Sequence, residues 1–280
     1  YESTMTDARL NTLRNWLKGL QPSWQLDLDT LAPASADASF RRYFRIESKN
    51  LAFGTLIIMD APPQHEPLDA FIKVDLLLSK AGLNVPKILE QNSAEGFLLL
   101  NDLGNKTYLA ELNNETADHL YQNATHALVQ MQLASKADVL PNYDAALLQR
   151  ELDLFPEWYL KKHLHIELTE LQNSQIKQAF ELIIQNNLAQ AKVYVHRDYH
   201  SRNLMVTAKN NPGVIDFQDA VYGPITYDAS SLWRDAYIAW PEERVIDWVI
   251  KFWEEGRQAG LPMPNDFGQF YRDFEWMGLQ

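Results

Sequence analysis

A chain of 280 residues is long enough to bury one large core or two packed lobes. Hydrophobic residues make up 46%, with 8 Trp, 12 Tyr and 12 Phe, which is the composition of a folded globular protein; 37 acids against 25 bases leave a net charge of -12, which argues against a nucleic-acid partner. The lack of cysteine removes disulfides, thiolate catalysis and cysteine zinc sites.

No uninterrupted apolar run approaches a membrane span, and the stretch Tyr1 to Asp7 lacks the basic-then-apolar order of a signal peptide. The expectation is a soluble cytoplasmic protein with no membrane partner, present as a monomer or weak dimer. From Asp7 to Leu20 the spacing of Leu10, Leu13, Trp16, Leu17 and Leu20 predicts an amphipathic helix. Leu26 to Leu31 reads as a short strand or an irregular link. Ser39 to Ile46 alternates as a strand, and Phe53 to Met59 as its hairpin partner, with Ser48-Lys49-Asn50 turning between them. Pro62 and Pro63 stop the second strand, because proline cannot donate to the ladder.

Leu68 to Ala81 is a predicted helix closed by Gly82, Val85 to Leu89 a short extended segment, and Gly96 to Leu100 a buried strand. The remainder is predicted mostly helical: Glu115 to Ala134, Asp144 to Lys162 with a bend or break at Pro156, and Gln172 to Ala189. Val193 to Val195 is a short strand. Leu204 to Val206 and Val214 to Phe217 form a hairpin turned by Asn210-Asn211-Pro212-Gly213. Asp228 to Ala239, Glu242 to Ala259 and the segment from Phe267 onward complete the set. The predicted fold class is α+β: a bilobal chain with a small, antiparallel-sheet N-terminal lobe over residues 1-101 and a larger, mainly helical lobe over residues 102-280.

The chemistry concentrates in His196-Arg197-Asp198-Tyr199-His200-Ser201-Arg202-Asn203, delivered by a strand and followed by the hairpin that ends at Asp216. This order resembles the catalytic loop and metal aspartate of kinases. An aspartate can accept the proton of an attacking hydroxyl; an asparagine oxygen and a second aspartate can hold magnesium against nucleotide phosphates. The reading assigns Asp198 as base or hydroxyl-orienting group, and Asn203 and Asp216 as metal ligands. Asp219 is placed to reach a second metal or a substrate hydroxyl. His196 reads as a structural residue bonding loop carbonyls, while His200 either shapes the acceptor site or braces the loop. A zinc site from His196, His200 and Asp198 does not have ordinary zinc spacing.

Further stretches extend the resemblance: Ser39 to Arg45, Met59 to Pro63, Leu99 to Gly104, Gly213 to Ala220 and Tyr222 to Asp228. Over about residues 7 to 280 the chain resembles the aminoglycoside phosphotransferase and choline kinase superfamily. It is most similar there to the bacterial cell-wall-recycling sugar kinases that phosphorylate the anomeric hydroxyl of N-acetylmuramate and N-acetylglucosamine. That resemblance implies a protein-kinase-like fold, ATP and Mg2+ as cofactors, and a small-molecule sugar substrate. It implies that the loop Ala36 to Arg42, including Ser39, Phe40, Arg41 and Arg42, covers the nucleotide phosphates. It implies that Leu99, Leu100, Asn101 and Asp102 meet adenine through backbone groups, and that Asp228 supports the catalytic loop.

Two features depart from the kinase pattern. The phosphate loop has no glycine, and Met59 stands where a phosphate-pairing lysine is usual. Arg41 or Arg42 is the expected replacement, since a guanidinium suits phosphate oxygens; Arg45 is a third possibility, and a solvent-facing role for all three is the plain alternative. Acceptor contacts are expected from His200, Arg202, Asp219, Tyr222, Glu157 and Trp158, in a pocket with the aromatic residues Phe155 and Tyr159. An arginine would suit the lactyl carboxylate of muramate. The alternatives are a phosphotransferase for an aminoglycoside, choline or other amino-alcohol, and a nucleotide-binding pseudoenzyme that acts by interaction.

Overall fold

The computed structural model describes residues 2–36 and 40–280. The chain divides into two compact units, Tyr1–Leu77 with Val85–Gly104, and Leu78–Asn84 with Asn105–Gln280. Among the described residues no helix is long and apolar enough to cross a membrane.

The first unit is built on an antiparallel sheet in the order β1-β2-β3-β5-β4. Its strands are β1 (Leu26–Ala36), β2 (Arg42–Ser48), β3 (Thr55–Asp60), β4 (Ile88–Asn92) and β5 (Phe97–Asn101). Register places Phe44 opposite Ile58 and Ile58 opposite Leu99, so these side chains line one face. Helix α1 (Glu2–Trp24) covers that face with Leu13 and Leu17, both fully buried against Phe44, Ile46, Leu56 and Leu99. The helical spacing noted at Leu10 to Leu20 therefore serves this core. Helix α2 (Leu68–Lys80) carries a buried stripe of Leu68, Phe71, Val74, Asp75 and Leu78.

Several boundaries differ from expectation for identifiable reasons. The β2–β3 reversal is longer than a three-residue turn: the Phe53 and Gly54 N–H groups both donate to the Asn50 carbonyl, and Gly54 sits at φ 68, so β3 starts only at Thr55. The segment predicted at Val85 pairs only from Ile88, past Pro86, which has no N–H to give. β1 runs on to Ala36 rather than ending at Leu31.

The second unit is mainly helical. Its elements are α3 (Tyr108–Glu111), α4 (Ala117–Leu133), α5 (Ala145–Leu152), a π-helix (Phe155–His163), α6 (Glu170–Ala189), α7 (Tyr227–Trp233), α8 (Glu242–Ala259) and α9 (Phe267–Met277). Helix α4 packs on α8, α6 on α5 and α9, and α7 on α8 and α9. Two small ribbons pass through it: β6 (Lys192–Val195) with β9 (Val221–Pro224), and β7 (Leu204–Met205) with β8 (Gly213–Val214).

The helix expected over 144–162 is two elements. Pro156 has no N–H to bond and falls at the start of the π-helix, where no intrahelical partner is needed. The helix expected to reach Ala239 stops at Trp233, where Arg234 turns out to pair with Glu242 and Glu275. The second hairpin strand ends at Val214 rather than Phe217, because Asp216 takes a left-handed backbone, φ 64, that a strand cannot hold.

Candidate active site

Strand β6 ends at Val195 and hands the chain to a loop fixed largely by one buried acid. Asp228, fully buried at the start of α7, accepts the His196 N–H (2.7 Å) and the Arg197 N–H (3.0 Å). Its own desolvation pushes its pKa up to about 7, and the two N–H bonds oppose that rise. This is the loop support that the resemblance implied for Asp228. The bonds hold Arg197 at φ 81, a conformation non-glycine residues avoid. The Arg197 guanidinium also reaches Glu151 of α5 at 2.6 Å, and Tyr143 donates to the other oxygen of that carboxylate. Gly223 of β9 leaves room for Tyr143: a Cβ there would stand 2.7 Å from the Tyr143 Cβ.

His196 is fully buried and works as a brace. Its Nδ1 accepts the Asp198 N–H (3.2 Å) and its Nε2 lies 3.0 Å from the Ile215 carbonyl, so the neutral Nε2–H tautomer satisfies both. Burial lowers its pKa to about 4, against the opposing charge of Asp216. Tyr199, buried behind the loop, donates to the Ala124 carbonyl at 2.8 Å.

Three of the residues singled out from sequence come together on this frame. The Asn203 amide nitrogen donates to the Asp198 carbonyl (3.0 Å) and to Asp216 Oδ2 (3.2 Å), and the Ile215 N–H donates to the Asn203 carbonyl (3.1 Å). Asn203 Oδ1 is thereby left as an open acceptor. Asp216 Oδ1 accepts from Gln218 (2.8 Å). The Asp198 carboxylate is exposed and accepts no hydrogen bond among the described residues. Crowding by the surrounding loop and then the charge of Asp216 raise its pKa, Asp219 adds to this, and His200 and Arg197 pull it down. An amide oxygen beside a carboxylate is an oxygen-only donor set of the kind a hard divalent cation takes, with phosphate oxygens and water completing its shell.

The remaining sequence candidates are spread more widely. His200 and Arg202 lie in the same loop, and both meet a residue that sequence reasoning missed: the Tyr237 ring is 5.4 Å from the His200 ring and lies under the Arg202 guanidinium at 4.8 Å. Asp235, also missed, accepts the Ser201 N–H. Nothing in the spacing of a loop between two helices signals either residue. Asp219 is exposed just past Asp216, and Tyr222 is half-buried on β9 with its ring 6.5 Å from Tyr194. Glu157 and Trp158 sit exposed on the π-helix and contact Lys162 rather than the catalytic loop.

In the first unit Arg41, just before β2, and Arg42 and Arg45 on it are all paired with acids. Arg41 meets Glu66 at 2.6 Å and is itself buried; Arg42 meets the fully buried Asp60, which also takes Arg9 at 2.5 Å; Arg45 meets Asp102 at 2.6 Å. The solvent-facing alternative for the three does not hold. Burial alone would raise the Asp102 pKa, but bonds from Arg45, Thr55 and the Gly104 N–H bring it below its usual value. Met59 is fully buried, in register between Tyr43 and Leu98. Leu99 and Leu100 are buried in β5, the Asn101 N–H donates to the Lys87 carbonyl while the Asn101 side-chain oxygen accepts the Lys87 N–H, and Phe40 is exposed and stacks on His65 at 4.7 Å. Ser39 lies outside the described residues.

An antiparallel sheet unit, a helical unit and a loop of this geometry define a protein-kinase-like phosphotransferase. The solved structures agree on the fold. An ADP-bound aminoglycoside phosphotransferase superposes with a TM-score of 0.60 at 15% identity, covering 94% of this chain and 96% of its own. An ethanolamine kinase of Plasmodium vivax gives 0.61 at 11% identity, covering 90% and 73%. The phosphotransferase enzyme family profile matches residues 30–262, and the chain belongs to that family. It is an ATP-dependent small-molecule kinase. A Pseudomonas aeruginosa protein named N-acetylmuramate/N-acetylglucosamine kinase is 45% identical, covering 98% of this chain and 82% of its own length. A Neisseria meningitidis protein of the same name is 46% identical, covering 96% and 79%.

Proposed function

We propose that the protein transfers the γ-phosphoryl group of ATP to the anomeric hydroxyl of N-acetylmuramate and N-acetylglucosamine, giving the sugar 1-phosphates in the recycling of cell-wall sugars. The observation that carries the reaction class is the joined pair Asn203 and Asp216, with the unbonded carboxylate of Asp198 beside it. The two relatives at about 45% identity support the acceptor. Use of ATP fits the cytoplasm.

In this reading the Asp198 carboxylate holds the sugar O1–H in line and takes its proton as the O1–P bond forms and the bond from the γ-phosphorus to the bridging oxygen breaks, releasing ADP. Asn203 Oδ1 and the Asp216 carboxylate would hold Mg2+, which neutralises phosphate charge when bound. The rigid loop frame lowers the cost of presenting these groups together.

The nucleotide end is assigned to the first unit: backbone groups of Leu99 to Asp102 toward adenine, and Ser39, Phe40, Arg41 and Arg42 toward the phosphates. Arg42 is the preferred phosphate partner. Asp60 carries two guanidiniums, Arg9 and Arg42, so that cluster keeps one net positive charge, while the Arg41–Glu66 and Arg45–Asp102 pairs are neutral. Acceptor contacts are assigned to His200, Arg202, Asp219 and Tyr222, with Glu157 and Trp158 further out on the π-helix.

The test is magnesium-dependent ADP release across N-acetylmuramate, N-acetylglucosamine, a kanamycin-type aminoglycoside and choline. Turnover with the N-acetylated sugars is expected. Turnover with only the cationic acceptors would keep the reaction class and sink the sugar assignment.

A further inference from the structure

Two exposed carboxylates mark the catalytic loop and the segment that follows it. Asp198 and Asp219 both stand open to solvent there. Such a surface repels an anionic acceptor unless a cation is set aside for it. The loop has two arginines, and they differ. Arg197 is consumed by Glu151 at 2.6 Å. Arg202 is exposed, and among the described residues no carboxylate lies within ion-pair distance of it. It is nonetheless placed: its guanidinium lies on the Tyr237 ring at 4.8 Å.

Tyr237 is in turn tied to the loop it faces. Asp235 Oδ2 accepts the Ser201 N–H (3.0 Å) and Asp235 Oδ1 accepts the Tyr237 N–H (2.9 Å), so one carboxylate clamps the segment after α7 onto the catalytic loop. The Tyr237 ring also meets the His200 ring at 5.4 Å, steeply inclined to it, and the His200 N–H donates to the Asp198 carbonyl at 2.9 Å. A continuous wall thus runs from Asp198 through His200 and Tyr237 to Arg202. Two polar atoms in it are buried with no hydrogen-bond partner among the described residues, His200 Nδ1 and Ser201 Oγ. A guanidinium fixed on an aromatic face loses little freedom when it binds, and its planar fork suits a carboxylate in bidentate fashion.

Resting on the sugar-kinase reading above, we propose that Arg202, stacked on Tyr237, is the specificity determinant for the carboxylate of the acceptor sugar. N-acetylmuramate differs from N-acetylglucosamine by a lactyl ether on O3, two ring carbons from the anomeric centre. With O1 at Asp198, that side chain is directed along the wall, and its carboxylate meets Arg202. The same cation disfavours polycationic acceptors.

The experiment compares kcat/KM for N-acetylmuramate, its methyl ester and N-acetylglucosamine in the wild type, Arg202→Ala, Arg202→Lys and Tyr237→Leu. The wild type is expected to prefer the acid over its ester by about tenfold or more. In Arg202→Ala that preference collapses to within about twofold, Arg202→Lys recovers part of it, and Tyr237→Leu loses part. The readout is a ratio within one preparation, so a variant that folds incompletely does not distort it. A wild type without acid-over-ester preference, or a preference undiminished in Arg202→Ala, overturns the proposal while leaving the sugar kinase intact. A wild type inactive on both sugars overturns the sugar reading and this proposal together.

Discussion

In the loop from His196 to Asp216, the side chains proposed for chemistry keep open atoms: the Asp198 carboxylate, Asn203 Oδ1 and the Arg202 guanidinium. The bonding there is done by others, chiefly Asp228, His196 and Tyr199, which are buried. In the segment from Arg41 to Arg45 the pattern is reversed, and every guanidinium already has a carboxylate. The first region separates scaffold from reagent, residue by residue. The second merges the two, so a charged residue there contributes to stability whatever else it does.

The largest expected effect tests the first half of that contrast. Asp198→Asn should lower kcat by about a hundredfold to ten-thousandfold with little change in thermal stability, because an exposed group that makes no hydrogen bond is lost. Steady-state kinetics with a melting curve measures both. Glu151→Ala attacks the scaffold instead: it strips the half-buried Arg197 guanidinium of its partner and should cost about 2 kcal/mol in urea unfolding, with kcat falling as the loop at Asp198 loosens.

The next prediction separates Arg41, Arg42 and Arg45. Arg42→Ala should raise KM for ATP about tenfold, and Arg41→Ala and Arg45→Ala clearly less, since among the described residues the Asp60 cluster alone of the three keeps a net positive charge. Equal effects from all three would place them together as scaffold.

The last prediction concerns Asp75, a buried acid of the first unit with no ion pair among the described residues. Asp75 is buried on α2, its Oδ1 has no hydrogen-bond partner, and burial pushes its pKa to about 7. The unfolded carboxyl titrates near ~3.9. Between these values the folded state holds more protons, so stability is lost as pH rises from about 4 through about 7. Asp75→Asn removes this term. The melting temperature of the variant relative to wild type should therefore climb by several degrees, at most about 2–3 kcal/mol, between pH 5 and pH 8. A flat difference would show that Asp75 stays ionised in the folded protein.

How much of this could be read from the sequence varies by region. The central triad lies within a stretch of 21 residues, His196 to Asp216, and the types and spacing required by phosphoryl transfer were visible there. The helix spanning Leu10 to Leu20 and the strand around Phe44 were legible from their spacing. Tyr143, Glu151, Asp235 and Tyr237 were invisible as loop partners, because each comes from an element distant in sequence and carries no local pattern. The arginine pairs were hidden for the same reason: Asp60 and Arg42 are neighbours only across a strand register, and Asp102 reaches Arg45 from just past the end of β5.

What the sequence determined by itself is local: the order of elements, the apolar stripes and the identity of the groups in one short loop, since these depend on neighbours a few positions apart. Only the tertiary structure decided which charges are spent and which stay open. Ion pairing is a property of distance in space, and in this chain it commits Arg197 to Glu151 while leaving Arg202 free on the face of Tyr237.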